Sequence, residues 1–478
     1  MPNLMGVKCQ VSSGSYKGVR VSVNPPFADE GWATIYSVGE CLGPESLDLA
    51  WRKTRDSIFL MIKRKFFGSA LILLVLLPLP AWPGIRDEEL VTVTDTSFTV
   101  TWTTAKSCPG AVRYRNSHKD LDQTAEEEGA TRFHYVEVKG LDPGSTYSYR
   151  TECGGRKGRH RKLSPGQLTT LTPPRGNLLF TFAVLSDPHA LEDVAGLFVL
   201  PVSWLPPVSK GFTWRYPIRN YWQFTSEAAV EEINASGAEL AVVTGDLTSW
   251  FTEPEFQAMK RILDQLNMPY HVLRGNHDRV ENYPEDYFLK VFGLEKGWYS
   301  FDHQGFHFVC LDDNRLSDGW QAFPEEEFQW LEQDLQAHRQ MPAFVFVHRP
   351  MAAAWVDVNK DIRARFLSIL GQNPQVVGVF NGHSHRAKVT VVPETGSVPH
   401  VEVPPTKEYP TGYALVRVFE GGFQYNFFET RCADCREWND LTRGEYFGQA
   451  PRINMQGLKD RNWVYEFAPE VRALIQAR

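Results

Sequence analysis

Two hydrophobic rhythms divide the chain. Residues 88–172 alternate apolar and polar positions over short runs: VTVTDTSFTVTWTT, AVRYRN and FHYVEVKG, then the turn Asp142-Pro143-Gly144 and STYSYRTEC. A period of two, broken by turn residues, predicts half-buried strands stacked as a small all-β sandwich. From residue 177 the rhythm changes. LLFTFAVLSDPH, AELAVVTGD, PYHVLRGNHD, HFVCLDD, AFVFVH and VVGVFNGHSH are nearly continuous apolar runs that end in polar clusters. Such strands are buried on both faces, and residues 227–236, 255–266, 325–338 and 360–370 between them read as helices. Strand–helix alternation predicts an α/β domain whose ligands collect at the carboxyl ends of its strands.

At 478 residues the chain is long for one domain. The patterns divide it into a sandwich at 85–176, an α/β domain at 177–430 and a C-terminal extension at 431–478. Apolar residues at 42% and charged residues at 22% are globular values, excluding a largely disordered, collagen-like or polytopic membrane chain. Fifty basic and 57 acidic side chains leave a formal charge of −7, which argues against a nucleic-acid-coating protein. Seven cysteines are too few for a disulfide-built scaffold. Cys108 and Cys153 both fall in the sandwich, where an exported domain could join them. Cys432 and Cys435 lack the second pair that a zinc site needs, and read as a local disulfide or simple thiols. The cluster Arg156, Lys157, Arg159, His160, Arg161 and Lys162 reads as a solvated loop in preference to a site of phosphate or polyanion capture.

Residues 61–84, MIKRKFFGSALILLVLLPLPAWPG, break the globular pattern. Lys63, Arg64 and Lys65 precede an apolar run over 66–77, followed by Pro78, Pro80 and Pro83. That is the form of an export signal or, if uncleaved, of a signal-anchor that would tie the protein to a membrane. Residues 1–60 ahead of it show no sustained periodicity. The expectation is that Met61 is the true start and 1–60 a non-native extension; the alternative is a cytoplasmic tail. Either way the protein is exported: periplasmic, extracellular, or membrane-anchored and facing outward.

The strand ends carry the chemistry. In order they supply Asp187 and His189 (S-D-P-H), Asp246 (T-G-D-L-T), Asn276, His277 and Asp278 (R-G-N-H-D), His348 (F-V-H-R-P), and His383 and His385 (N-G-H-S-H). Singly, each is as readily a core or capping residue. Together, carboxylate, carboxamide and imidazole donors in one basin suit Mn, Fe or Zn. Two such ions need a shared carboxylate and several further ligands, which this set supplies. His271, His307 and His338 lie outside the series and read as core-filling or surface residues.

The series D-x-H, G-D, G-N-H-D, H, G-H-x-H resembles the calcineurin-like metallophosphoesterase superfamily over roughly residues 180–390. The W-T-T strand and the L-D-P-G-S-T-Y-S-Y-R stretch resemble a fibronectin type III module, in particular the one that precedes the catalytic domain of purple acid phosphatases. The resemblance implies two mixed sheets packed as a β-sandwich and flanked by helices. It implies that Asp187, His189 and His385 hold one metal ion, that Asn276, His348 and His383 hold the other, and that Asp246 bridges them. His277 would stand free of the metals as the proton donor to the leaving group. The tyrosine that purple acid phosphatases carry shortly after G-D is absent from G-D-L-T-S-W. That spelling is similar instead to cyclic-nucleotide phosphodiesterases and related phosphohydrolases. His348-Arg349-Pro350-Met351 departs from the frequent H-H-P-P, which changes the outer edge of the pocket.

Two cations would lower the pKa of a bridging water, and the resulting hydroxide would attack phosphorus in line while His277 protonates the departing oxygen. The expected function is therefore an exported dinuclear phosphohydrolase of small phosphate mono- or diesters. Alternatives are a hydrolase of a cell-envelope lipid or pyrophosphate, or a non-catalytic wall- or carbohydrate-binding protein. The intact ligand series weighs against the last. Residues 196–224 are crowded with aromatics such as Trp204, Trp214 and Trp222 and interrupted by prolines. They are expected to form an aromatic wall or lid, joined by Trp250 and Phe251, or else to seal the sandwich against the α/β domain.

Overall fold

The computed structural model describes residues 84–477, apart from 117–122, 193–219, 281–284, 315–322 and 353–357. Residues 1–60, the segment expected to direct export up to residue 83, and the aromatic stretch from 193 up to residue 219 lie outside the described residues. Among those described, no helix is long and apolar enough to cross a membrane.

The alternating region folds as two facing sheets. One holds Ile85–Val93, Ser97–Cys108 and Thr131–Lys139; the other centres on Gly110–Asn116 and Thr146–Cys153. Period-two alternation turns Phe98, Val100, Trp102, Val136 and Val138 inward, against Val112, Tyr147 and Tyr149. Cys108 and Cys153 form a disulfide across a Cα separation of 5.8 Å, and Cys432 and Cys435 form a second.

The continuous apolar runs build two six-stranded mixed sheets. In the first, Tyr270–Val272, Leu240–Val243 and Leu178–Leu185 run parallel, followed by antiparallel Gly412–Phe419, Gly422–Glu429 and Asn462–Glu466. In the second, Phe306–Cys310, Ala343–Phe346, Val376–Asn381 and Val398–Glu402 run parallel between two antiparallel edges. Their facing surfaces are filled with phenylalanine. Phe182 meets Phe344, Phe308 and Phe380 edge-on at ring separations of 5.1, 5.5 and 5.6 Å. Helices cover the outer faces: Tyr221–Asn234, Glu253–Leu263 and Ala433–Thr442 on the first sheet, Glu325–Ala337 and Lys360–Gly371 on the second. Hence the central strands are buried on both sides, as their unbroken apolar sequence requires, while the edge strands are partly exposed.

Residues 431–478, expected as an extension, are built into this domain. Asn462–Glu466 closes the first sheet, Trp438 is wholly buried under it, and Phe467 and Val471 enter the core between the sheets. The same stretch, with Tyr409 before it, holds the sandwich in place. Tyr409 and Arg443 bind Glu89 (2.8 and 2.9 Å), Arg443 binds Asp87 (2.7 Å), and Arg461 donates to the carbonyls of Leu90 and Val91. The exposed edge of Ile85–Val93 is thereby satisfied by side chains of the α/β domain. Trp438→Ala should cost about 3–5 kcal/mol in denaturant unfolding. A chain ending at residue 430 should fail to fold; a cooperative, native-like transition in that truncation would make 431–478 a mere appendage.

Candidate metal centre

The parallel strands of both sheets end at one rim, and every residue of the predicted series sits there. Asp187 and His189 follow Leu178–Leu185, Asp246 follows Leu240–Val243, and Asn276, His277 and Asp278 follow Tyr270–Val272. From the second sheet, His348 follows Ala343–Phe346, and His383 and His385 follow Val376–Asn381. Five of these residues have left-handed backbones: Asp187 (φ 48°), His189 (46°), Asp246 (50°), His383 (67°) and His385 (50°). For non-glycine residues that conformation is strained, and such strain collects at functional sites. The adjacent glycines divide the work. Gly245 takes a φ of 99° to make its turn, whereas a Cβ on Gly275 would lie 2.2 Å from both the backbone nitrogen and Oδ1 of Asp246. Gly275 is therefore there for close approach rather than for turning.

The side chains converge as two triads. Asp187, His189 and His385 form one, Asp246, His348 and His383 the other, each with donor atoms within 4.8 Å of one another. A single oxygen, Asp246 Oδ2, lies 3.5 Å from His189 Nε2 and 3.4 Å from His348 Nε2, so it faces both triads. His385 Nε2 stands 3.4 Å from Asp187 Oδ1. Donors bonded tetrahedrally at ~2.1 Å to one small cation would be about 3.4 Å apart. Asn276 Oδ1 is nearer its imidazoles, 3.1 Å from His348 and 2.7 Å from His383. His189 is 2% exposed, yet neither of its ring nitrogens makes a hydrogen bond among the described residues. Buried polar atoms are seldom left so. The donor set, its spacing and these orphaned nitrogens fit a pair of Mn, Fe or Zn ions.

Electrostatics agree with the assignment. Burial pushes the Asp246 carboxyl up, but His348 and His277 outweigh it and hold it well below the ordinary range. Burial opposes charge on His385 and His348 too, yet Asp187 raises the first to about 10 and Asp246 the second to about 9. His189 is pushed down to about 4, chiefly by burial and then by Lys407, and so keeps free lone pairs. Asp278 accepts backbone N–H bonds from Leu247, Thr248 and Gly275, each at 2.9 Å. It staples the G-D and G-N-H-D turns together instead of capping a helix. His277 donates its backbone N–H to Asp246 Oδ1 (2.7 Å) and holds Nδ1 3.0 Å from the Ser249 carbonyl, its ring 4.6 Å from that of His189.

A sixth strand end was missed. After Val398–Glu402 the chain reaches Lys407 and Glu408, both fully enclosed beside the first triad. Glu408 Oε1 accepts from His385 Nδ1 at 2.6 Å, while Glu192 stands 3.6 Å from His189 Nδ1. Lys407 Nζ ties the two carboxylates, 2.7 Å from Glu192 and 3.9 Å from Glu408. One buried ammonium therefore holds both carboxylates; Glu408, bonded to His385, sets that ring's tautomer and orientation, while Glu192 stands near His189 without bonding it. The polar pair after V-E-V was the available signal, obscured by the intervening prolines. Of the histidines outside the series, His271 stacks on Phe301 (3.5 Å), and His307 lies between Asp302 and Asp334 at 2.7 Å each. Arg349 turns inward, its backbone N–H 3.3 Å from Asp313. Trp250 is 68% exposed one residue beyond Ser249, whereas Phe251 is buried beneath Arg279.

Residues 180–387 match the family model described as Calcineurin-like phosphoesterase, and residues 89–167 match that of the Purple acid Phosphatase N-terminal domain. A probable glycerophosphodiester phosphodiesterase of Arcobacter nitrofigilis is 27% identical over 32% of this chain and 59% of its own length. A 3′,5′-cyclic-nucleotide phosphodiesterase of Nostoc sp. is 24% identical over 31% of this chain and 56% of its own. The chain thus spans less than two thirds of the length of these relatives. Among solved structures, a dimetal phosphatase from Danio rerio is similar at 16% identity with a TM-score of 0.44, over 53% of this chain and 98% of that one.

Two outcomes follow for metal loading. Because His348 and His385 carry protons below about 9 and 10, a metal must expel them, so affinity should climb as pH rises toward those values. Loading chelator-stripped protein with Zn²⁺ in weak buffer near neutrality should release protons, and no release would exclude these ligands. Glu408→Gln should weaken metal binding roughly 10–100-fold at the Asp187 triad while the other position stays filled.

Proposed function

With residues 180–387 a calcineurin-like phosphoesterase domain and residues 89–167 a purple acid phosphatase N-terminal domain, we propose that this chain is an exported, dinuclear metal-dependent hydrolase of small phosphate mono- or diesters. The observation that carries this reading is Asp246 Oδ2, set between an imidazole of each triad as a shared ligand would be. Asp187, His189 and His385 would hold one ion, and Asn276, His348 and His383 the other. Ions held there supply Lewis acidity, activating a water and neutralising charge on the phosphoryl oxygens.

The chain's own groups account for the rest. Asp278 and the Asp246 carboxylate fix the G-N-H-D turn, so that His277 is aimed from backbone and ring alike. The Ser249 carbonyl accepts from His277 Nδ1–H, so the imidazolium form presents its second proton, on Nε2, to the departing oxygen and is left as the neutral Nδ1–H tautomer. His277 is partly exposed, so a leaving group can reach it. Trp250, exposed next to that carbonyl, offers an apolar face to the substituent on the ester.

Diesters are the favoured substrates, since the relatives above are named phosphodiesterases and G-D-L-T-S-W lacks the purple-phosphatase tyrosine. Export is supported by two disulfides, which persist in oxidising compartments, and by the signal-like segment at 61–84. His277→Ala should retain both metals and lose 10²–10⁴-fold in turnover, with poor leaving groups hit hardest. Equal losses for good and poor leaving groups would remove His277 from the proton-donor role. Asp246→Asn should empty both metal positions together; full occupancy by elemental analysis would overturn the bridge.

A further inference from the structure

The basic cluster of the sandwich, expected as a solvated loop, turns out to have walls. Arg86, Arg156, Lys157, Arg159 and Arg161 line a cavity of about 370 Å³ where the chain enters the sandwich at Gly84 and Ile85. None of the five has a carboxylate within ion-pair distance among the described residues. Of the neighbouring acids, Asp87 and Glu89 pair with Arg443, while Glu88, 5% exposed beneath the loop, bonds its backbone and faces Arg161 without forming an ion pair.

Glu88 fixes the loop from below. It accepts from the Arg159 backbone N–H at 2.9 Å and from the Thr151 hydroxyl, while the Gly158 N–H reaches the Thr151 carbonyl at 2.8 Å. A Cβ on Gly158 would lie 2.1 Å from a Glu88 carboxylate oxygen, so only glycine lets the loop settle there. Leu90 donates to the Leu163 carbonyl (2.7 Å), and Arg161 and Ser164 exchange backbone bonds at 2.8 and 3.0 Å. The cations therefore cannot relieve their repulsion by letting the loop spread. Four of the five are arginines, whose planar forks grip phosphate oxygens two at a time. In a chain of net charge −7, such a concavity is a local field of opposite sign that draws anions.

We infer that this cavity is a binding site for a phosphate-bearing anion, separate from the metal centre. Both an anionic phospholipid headgroup and a free oligophosphate carry that chemistry. In sequence these residues begin directly after 61–83, the expected signal or signal-anchor; uncleaved, it would bring them to a membrane, where basic groups are attracted to anionic lipid, which favours the headgroup.

The full chain can be compared with its Arg156→Ala/Arg159→Ala/Arg161→Ala variant at low salt, using tripolyphosphate and phosphatidylcholine vesicles with or without phosphatidylglycerol. The metal centre is identical in both proteins, so its own affinity for phosphate cancels. The wild type should show a salt-sensitive preference for phosphatidylglycerol that drops roughly tenfold or more in the variant, with ester turnover and melting temperature unchanged. A loss confined to tripolyphosphate would keep the site and assign it to a soluble ligand. Equal binding of both probes by wild type and variant would overturn it.

Discussion

A carboxylate with 2% exposure cannot keep its charge unless cations face it, and Asp246 is so placed that both halves of the site depend on how that need is met. His348 and His277 answer it, and His189 stands 3.5 Å from the same carboxylate oxygen that His348 approaches, within a domain whose interior is packed phenylalanine. Water is largely excluded there, so each charge acts at greater strength than at a surface. Protons on His348 and His385 can neutralise the site, and so can metal ions. The two compete for the same lone pairs, which ties metal loading to pH.

The fold makes this convergence possible by ending the parallel strands of two sheets at one rim. Asp187, Asp246 and Asn276 arrive from one sheet, His348, His383 and His385 from the other. The left-handed turns at five of these positions are unfavourable locally and persist because the strands behind them are held on both faces. Behind the ligands, Lys407, Glu192 and Glu408 form a second layer of alternating charge. The segment carrying Tyr409 and Arg443 then reaches Glu89 of the sandwich, so the N-terminal module braces the outer wall of the first triad.

How much of this the sequence disclosed depends on how local each signal is. Every ligand ends an apolar run within a few residues, so strand and donor can be read together, as in VVGVFNGHSH. The small sandwich and the helix-covered strands followed from the same alternations, whereas the packing of two mixed sheets was implied by the family resemblance. Lys407 and Glu408 escaped because two prolines separate them from their strand, and Glu192 because nothing local marks it. Residues 431–478 looked like an extension because their partners, among them Phe306 and Glu89, lie far back in the chain. The basic cluster was visible as charge, but its concavity arises from Glu88 and Gly158, which carry no such signal.

X-ray absorption by the metal-loaded protein is the most direct measurement of the central claim, that one buried carboxylate oxygen joins two metal positions. Nitrogen and oxygen neighbours including imidazole, with a metal–metal vector at about 3.5–4 Å, are expected. A mononuclear spectrum at full loading, with no metal–metal scattering, would contradict it.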